Sequence, residues 1–260
     1  MEEKRKRLVL SNVILVIAVI VFVFSAYKLI SIYSEYHKGD KEYDNIAEDA
    51  IETQSSESEE SEPKAHTILK VDFDKLKKTN EDVVAWIHFD EPEQINYPVV
   101  KGTDNDKYLT TTFEGKKNSS GSIFIDAGNQ GDFGDRNTFI YGHNMKNGSM
   151  FGQLRKFKTK DYYEQNPHFY IYTPDGKEVK YQIFAVCIVE DTSWSYERFY
   201  NSDEEYLDYL DYIKSIAQYD TGVELTAESR IVSLSTCTNV TETQRLLVHG
   251  VKISETVVEE

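Results

Sequence analysis

The chain is 260 residues long, 40% hydrophobic and 13% aromatic, enough for one catalytic-sized domain with appendages, and it excludes wholesale disorder. Its 29 basic and 45 acidic residues give a formal net charge of −16, with 11 acids and 2 lysines concentrated in 35–62, so no clustered basic surface is available and nucleic acid is excluded as a partner. Two cysteines, Cys187 and Cys237, are too few for a disulfide-stapled scaffold or a multi-cysteine zinc site.

From residue 8 to residue 27 the sequence LVLSNVILVIAVIVFVFSAY carries no charge. Twenty helical residues cover roughly 30 Å, the thickness of a bilayer's hydrocarbon core. The run exceeds a usual signal-peptide core, and SAYKLI offers no clear small-x-small cleavage site, which favours an uncleaved signal-anchor over 8–30. Lys4, Arg5, Lys6 and Arg7 precede it, so the positive-inside bias predicts a single-pass protein of the cell membrane, with tail 1–7 cytoplasmic and the rest extracellular.

Residues 31–66 read as an acidic flexible linker, since like charge and serine leave too little apolar surface to offset the entropy of ordering. Only its first part is predicted to be weakly helical, as a continuation of the anchor, and QSSESEESEP within it is low-complexity and self-repelling. The folded domain is expected over 67–260, starting near Thr67.

Between Val71 and Trp86, the spacing of Phe73, Leu76, Val83, Val84 and Trp86 predicts short amphipathic helices, with Asn80 as a helix start. Strand-like runs follow at 85–89, 95–100, 122–126, 137–141, 168–173, 178–190, 230–237 and 245–253. Thr173-Pro174-Asp175-Gly176 predicts a hairpin, proline presetting one dihedral and glycine accepting a positive one. Many short strands at this spacing argue for a closed barrel or sandwich. One long helix interrupts them: Ser202 caps it, Asp203, Glu204 and Glu205 fill its first turn, and Tyr206, Leu207, Leu210, Ile213, Ile216 and Ala217 form its apolar stripe. It is predicted to end by 220–222, and Tyr206, Tyr209 and Tyr212 are read as packing groups.

A reactive cysteine must be a thiolate with some access to solvent. Cys187 lies within the apolar run Tyr181-Gln-Ile-Phe-Ala-Val-Cys-Ile-Val and reads as core. Cys237 ends the run Ile231-Val-Ser-Leu-Ser-Thr-Cys where a strand opens into the polar stretch 238–243, a nucleophile's position. Arg245 heads the next strand, and a short antiparallel connection would return it beside Cys237, where it would hold a carbonyl or oxyanion without exchanging protons. Proton transfer needs a histidine. His37 and His66 fall in or beside the linker, His88 and His168 near strand ends, and His249 roughly 13 Å along the strand from Arg245. His143 follows Thr138-Phe-Ile-Tyr-Gly and projects from a strand end among polar residues. The residues alone leave two other readings open: a structural histidine with an unrelated loop thiol, or a Cys187–Cys237 disulfide in an exported domain.

Taken together and in order, several segments resemble class B sortases, the membrane-anchored cysteine transpeptidases of Gram-positive bacteria. They are Asn96-Tyr97-Pro98-Val99-Val100, Asp104-Asn105-Asp106-Lys107-Tyr108-Leu109, Gly121-Ser122-Ile123-Phe124-Ile125-Asp126, Tyr141-Gly142-His143-Asn144-Met145, Leu234-Ser235-Thr236-Cys237 and Arg245. The resemblance runs from about Val71 to about Ile253, and the helix at 202–219 is similar to the extra helix that marks class B.

What the resemblance implies is a mainly β fold with helices: an eight-stranded sortase-type β-barrel with N-terminal helices and a long helix inserted between the last strands. It further implies Cys237 as nucleophile, His143 as general acid/base and Arg245 as the third catalytic residue. Ser235, Tyr141 and Asn105 would line the substrate groove, the amide of Thr238 would help hold the oxyanion, and the segment 192–199 would form one groove wall. The implied reaction cleaves the C-terminal sorting motif of a secreted protein after its threonine and transfers the acyl group to an amine of a peptidoglycan precursor. The alternatives are a pilin-polymerising sortase, a cysteine hydrolase without transfer, or a non-catalytic adhesin on a membrane stalk. Partners are then sorting-motif-bearing proteins, the cell-wall amine and the membrane. No cofactor is expected, and no acidic cluster like the class A calcium site is present, which predicts metal independence.

Overall fold

The structure, a computed structural model, describes residues 2–55 and 66–258. It opens with one unbroken helix, α1 (Glu2–Ala50), whose apolar first half stands clear of the barrel, with Leu15, Ile20 and Phe22 exposed. The acidic linker expected from 31 does not begin there. The chain stays helical to Ala50 because Tyr43, Ile46 and Ala50, one helical face, are buried against the barrel. Its acids are used as acceptors: Glu35 takes the Ser119 amide at 2.9 Å, Glu42 the Glu114 amide at 3.1 Å and Asp40 the Asn147 side chain at 2.8 Å. Tyr43 donates to the Gly121 carbonyl at 2.6 Å and accepts from the Phe113 amide at 3.2 Å. Composition missed this docking because the apolar groups are sparse within the segment and their partners lie on the barrel. Strand β1 (Ile51–Ser55) then pairs antiparallel with β2 (Thr67–Val71), Ile51 opposite Val71. Most of QSSESEESEP falls in 56–65, outside the described residues.

Helix α2 (Phe73–Thr79) is capped by Asp72, whose side chain accepts the Lys75 amide at 2.9 Å. Asn80, expected to start a helix, ends this one, and Val83 and Val84 belong to the following strand. Periodicity alone could not separate a helix face from a buried strand over so few residues. The strands are β3 (Val83–His88), β4 (Asn96–Val100), β5 (Ile123–Ile125), β6 (Asn137–Tyr141), β7 (His168–Thr173), β8 (Lys177–Glu190), β9 (Ile231–Cys237) and β10 (Gln244–Val257). Short helix α3 (Lys160–Gln165) precedes β7, and α4 (Asp203–Ser215) separates β8 from β9.

These eight strands close in the order β10-β8-β7-β3-β4-β5-β6-β9. Pairing is antiparallel except at β4/β5 and β6/β9, which are parallel, so the eight-stranded barrel that the resemblance implied is present, and its strand directions are mixed. The β7/β8 hairpin turns at Thr173–Gly176 as expected, with the Gly176 amide on the Thr173 carbonyl at 3.0 Å and Gly176 at φ +76°. Trp86, Ile87, Val99, Ile125, Ile140 and Phe169 fill one apolar core.

A second core lies under α4. Tyr206, Tyr209, Leu210 and Ile213 pack on Ala185, Cys187 and Leu247, while Leu207, expected in the stripe, is 39% exposed and the helix stops at Ser215. The tyrosines are packing groups as read: Tyr206 donates to the Ser229 carbonyl at 2.9 Å and Tyr209 to the Ser195 carbonyl at 2.9 Å. Each buried ring contributes roughly 2 kcal/mol of apolar burial while its hydroxyl stays satisfied.

Candidate active site

Strand direction assembles the site. Because β6 and β9 are parallel, their C-terminal ends emerge at the same rim, with Tyr141 opposite Ser235. Cys237 is the last residue of β9, and His143 stands equally far beyond Tyr141. The ladder continues past the formal end of β6, the Gly142 amide donating to the Ser235 carbonyl at 3.1 Å. On the other side of β9, antiparallel β10 starts at this rim and sets Arg245 directly opposite Cys237. Neighbouring strands lie about 4.8 Å apart, so Arg245 flanks Cys237 across the β9/β10 pair, and His143, on the loop just past β6, completes a row of three residues along this rim.

Gly142 is required at the bend, because a Cβ there would come within 2.5 Å of Ile123 Cδ1 and 2.7 Å of Phe151 Cδ2. The two rim loops are tied together. Asn144 donates to the Cys237 carbonyl at 2.7 Å, and Asn239, at φ +62°, donates to the Asn144 carbonyl at 3.0 Å.

A cavity of about 310 Å³ opens on this rim, and Asn105, Tyr141, His143, Ser235, Cys237 and Arg245 line it. Six of the seven residues named from sequence are thereby brought together. Thr238 is not: it lies off the lining, and its amide donates to the Gln244 carbonyl at 3.2 Å, closing the neck of the β9/β10 loop. The expected oxyanion donor is therefore consumed by the strand ladder. Segment 192–199 also departs from expectation. It supplies no lining residue, and instead braces the wall from behind, Tyr196 bonding Ser235 at 2.8 Å and Arg198 pairing with Asp126.

Cys237 and Cys187 are both free thiols, so the disulfide reading is excluded. Cys187 is fully buried in β8, and burial pushes its thiol up to about 12. Cys237 is partly exposed on the cavity. His143 uses Nε2 to donate to the Leu109 carbonyl at 2.7 Å. A carbonyl can only accept, so the neutral ring carries its proton on Nε2 and leaves Nδ1 as the basic nitrogen.

The Arg245 fork is held at 2.7 Å by the Glu242 carbonyl, at 3.2 Å by the Gln244 carbonyl and at 3.1 Å by Asp191. These contacts use three of its five N–H groups and leave two directions of donation. His249 is no rival: it is fully buried against Ser233 at 2.8 Å, and burial lowers it to about 3. Asn144, Asp191, Tyr196 and Arg198 were missed as supports because each acts through a partner distant in sequence. Among the described residues, no group of three or more His, Cys, Asp or Glu side chains is arranged to hold a metal ion.

The arrangement thus places a thiol, an imidazole and a fixed cation around one open cavity, a set suited to acyl transfer. Residues 91–253 match the family model of the sortase domain. Sortase B of Listeria monocytogenes is 33% identical over 218 residues, which cover 84% of this chain and 85% of that protein. Sortase B of Bacillus anthracis, solved in complex with AAEK1, superposes with a TM-score of 0.71 at 33% identity, covering 86% of this chain and all of that one. A Staphylococcus aureus sortase B–substrate complex gives a TM-score of 0.65 at 30% identity over 70% of this chain and 84% of that one. Barrel closure, rim geometry and sequence similarity agree: the chain belongs to the sortase family and is a transpeptidase of the sortase B type.

Proposed function

We propose that this transpeptidase cleaves the C-terminal sorting motif of a secreted protein after its threonine and transfers the new acyl group to an amine of a peptidoglycan precursor. The row His143–Cys237–Arg245, set by the parallel β6/β9 and antiparallel β9/β10 pairings, carries this reading. The Cys237 thiolate attacks the threonine carbonyl, and the two uncommitted N–H groups of Arg245 hold the resulting oxyanion. His143, protonated for this step, gives its Nδ1 proton to the leaving amine as the C–N bond breaks, and a thioester remains. The acceptor amine then attacks the thioester, its proton passes to Nδ1, and collapse frees the thiolate. Ser235, Tyr141 and Asn105 form the peptide-facing wall.

The apolar part of α1, over 8–30, holds the enzyme in the membrane, with 1–7 cytoplasmic and the barrel outside the cell. The chemistry uses no metal, and chelation is expected to leave the rate unchanged.

A peptide-library cleavage screen read by mass spectrometry tests the reading, comparing wild type with Cys237→Ala, with and without an amine acceptor. The expected result is cleavage after threonine by wild type only, with the acyl group captured by the amine. Release to water alone under saturating amine would instead mean a hydrolase.

A further inference from the structure

Behind the cavity lies a carboxylate that the catalytic row does not use. Asp126 follows β5 and is 1% exposed. Its Oδ2 accepts from Tyr141 Oη at 2.8 Å and from Asn105 Nδ2 at 3.1 Å, while Oδ1 accepts the Gly128 amide at 2.8 Å and pairs with Arg198. A carboxylate has about four acceptor positions, and all are used. The donors come from four stretches: the β4/β5 connection, the turn after β5, strand β6 and the segment after β8. Asn105 is fixed at its other end too, its Oδ1 accepting the Ala127 amide at 2.7 Å.

This wiring fixes what the wall offers to a ligand. The single proton of Tyr141 points at Asp126, so toward any further partner its oxygen can only accept. Burial, and then the Asp126 charge, raise its phenol well above the ordinary range, so that proton stays. Asn105 has spent its carbonyl and one N–H, so its second N–H is the group left to donate. One acceptor beside one donor complements a backbone amide of an extended peptide.

We propose that Asp126 is a positioning residue that sets the hydrogen-bond polarity of this wall, making Tyr141 an acceptor and Asn105 a donor for one peptide group of the substrate. Arg198 pairs with the carboxylate and holds it aligned, and thereby couples the 192–199 segment to peptide binding. This assignment rests on reading the cavity as the peptide groove.

The test is steady-state kinetics on the cleaved peptide, together with the rate of Cys237 alkylation by iodoacetamide. Asp126→Asn keeps the side chain's size but sets an NH2 against one of the two donor pairs, Tyr141 with Asn105 or Gly128 with Arg198. KM is expected to rise about tenfold, kcat to stay within about threefold and the alkylation rate to hold, since charged hydrogen bonds to the wall are lost while the catalytic row is intact. In a double-mutant cycle, Tyr141→Phe is expected to add little on top of Asp126→Asn.

Arg198→Gln, at a side chain 30% exposed, is the second arm should Asp126→Asn fail to fold, and KM is expected to rise there too with kcat kept. An unchanged KM in whichever of these two variants folds, a loss confined to kcat, or additive effects in the cycle would overturn the assignment. Saturable cleavage by wild type with no KM change in the variants sinks Asp126 alone, whereas absence of any peptide turnover by wild type sinks the groove itself.

Discussion

Cys187 and Cys237 sit on either side of the same strand. Leu247 of β10 pairs with Cys187 on one edge and with Ser235 on the other, and Arg245 pairs with Val189 and with Cys237. Cys187 lies in the middle of β8 beneath α4, its Sγ 3.6 Å from the Ile213 carbonyl and its thiol pushed up to about 12 by burial. Cys237 lies where β9 meets the rim, open to the cavity and in register with a cation. Residence in an apolar strand therefore says little about a thiol's chemistry. The distance to the rim decides it, because only there do water and charge reach the sulfur.

The histidines divide the same way. His249 is sealed in the core, and His66 is clasped by Asp90 at 2.9 Å and Glu178 at 2.8 Å. His143 meets the cavity.

The sharpest way to break the comparison is Cys237→Ala, expected to lower turnover by about 10⁴-fold or more with little change in melting temperature. A variant retaining several per cent activity in single-turnover assays would remove Cys237 from the chemistry. His143→Ala is expected to lose about 10³-fold, through the loss of proton transfer to the leaving amine. Arg245→Lys should lose about 10²-fold in kcat, because a point charge cannot hold the Glu242 and Gln244 carbonyls, Asp191 and an oxyanion together. Near wild-type kcat would reduce that role to charge alone.

The structural histidine has its own signature. Burial by itself would lower His66, but the Asp90 and Glu178 carboxylates raise it to about 9. Its pairing therefore stabilises the fold fully below about pH 6.5, the unfolded value, and is lost as pH rises through about 9. His66→Gln is expected to cost on the order of 2 kcal/mol at pH 6 and little at pH 10, as read by urea melts. A pH-independent cost would mean the ring acts only by stacking on Tyr170, 3.6 Å away.

The smallest effect belongs to the other thiol. Cys187→Ala should cost roughly 1–2 kcal/mol and leave activity measurable. Native iodoacetamide labelling at neutral pH should mark Cys237 and spare Cys187; the reverse pattern would invert the comparison.

Local chemistry carried much of the fold into view. The eight strand segments, the Thr173–Gly176 turn and the Ser202 cap rest on alternation, turn residues and capping, each of which acts within a few residues. So did the contrast between a cysteine inside an apolar run and one at its end. Linking Cys237 to Arg245 was also legible, because one short antiparallel connection joins them. Helix α1 was misjudged over 31–50, where Tyr43, Ile46 and Ala50 are too few to mark an amphipathic face until Tyr97 and Phe113 supply the other side. Thr238 was misjudged because its amide is spent on Gln244, a pairing visible only once the loop neck closes.

By itself, the amino-acid order determined which segments extend, where they turn, that a long uncharged run leads the chain, and which thiol ends a strand. Only the tertiary structure decided that β6 runs parallel beside β9, that α1 docks on the barrel, and that Asp126 gathers donors from four stretches of chain. The division has a physical cause. Dihedral preferences and side-chain alternation act between near neighbours, whereas barrel closure and the choice of partner for a buried carboxylate or a committed amide depend on groups tens of residues apart.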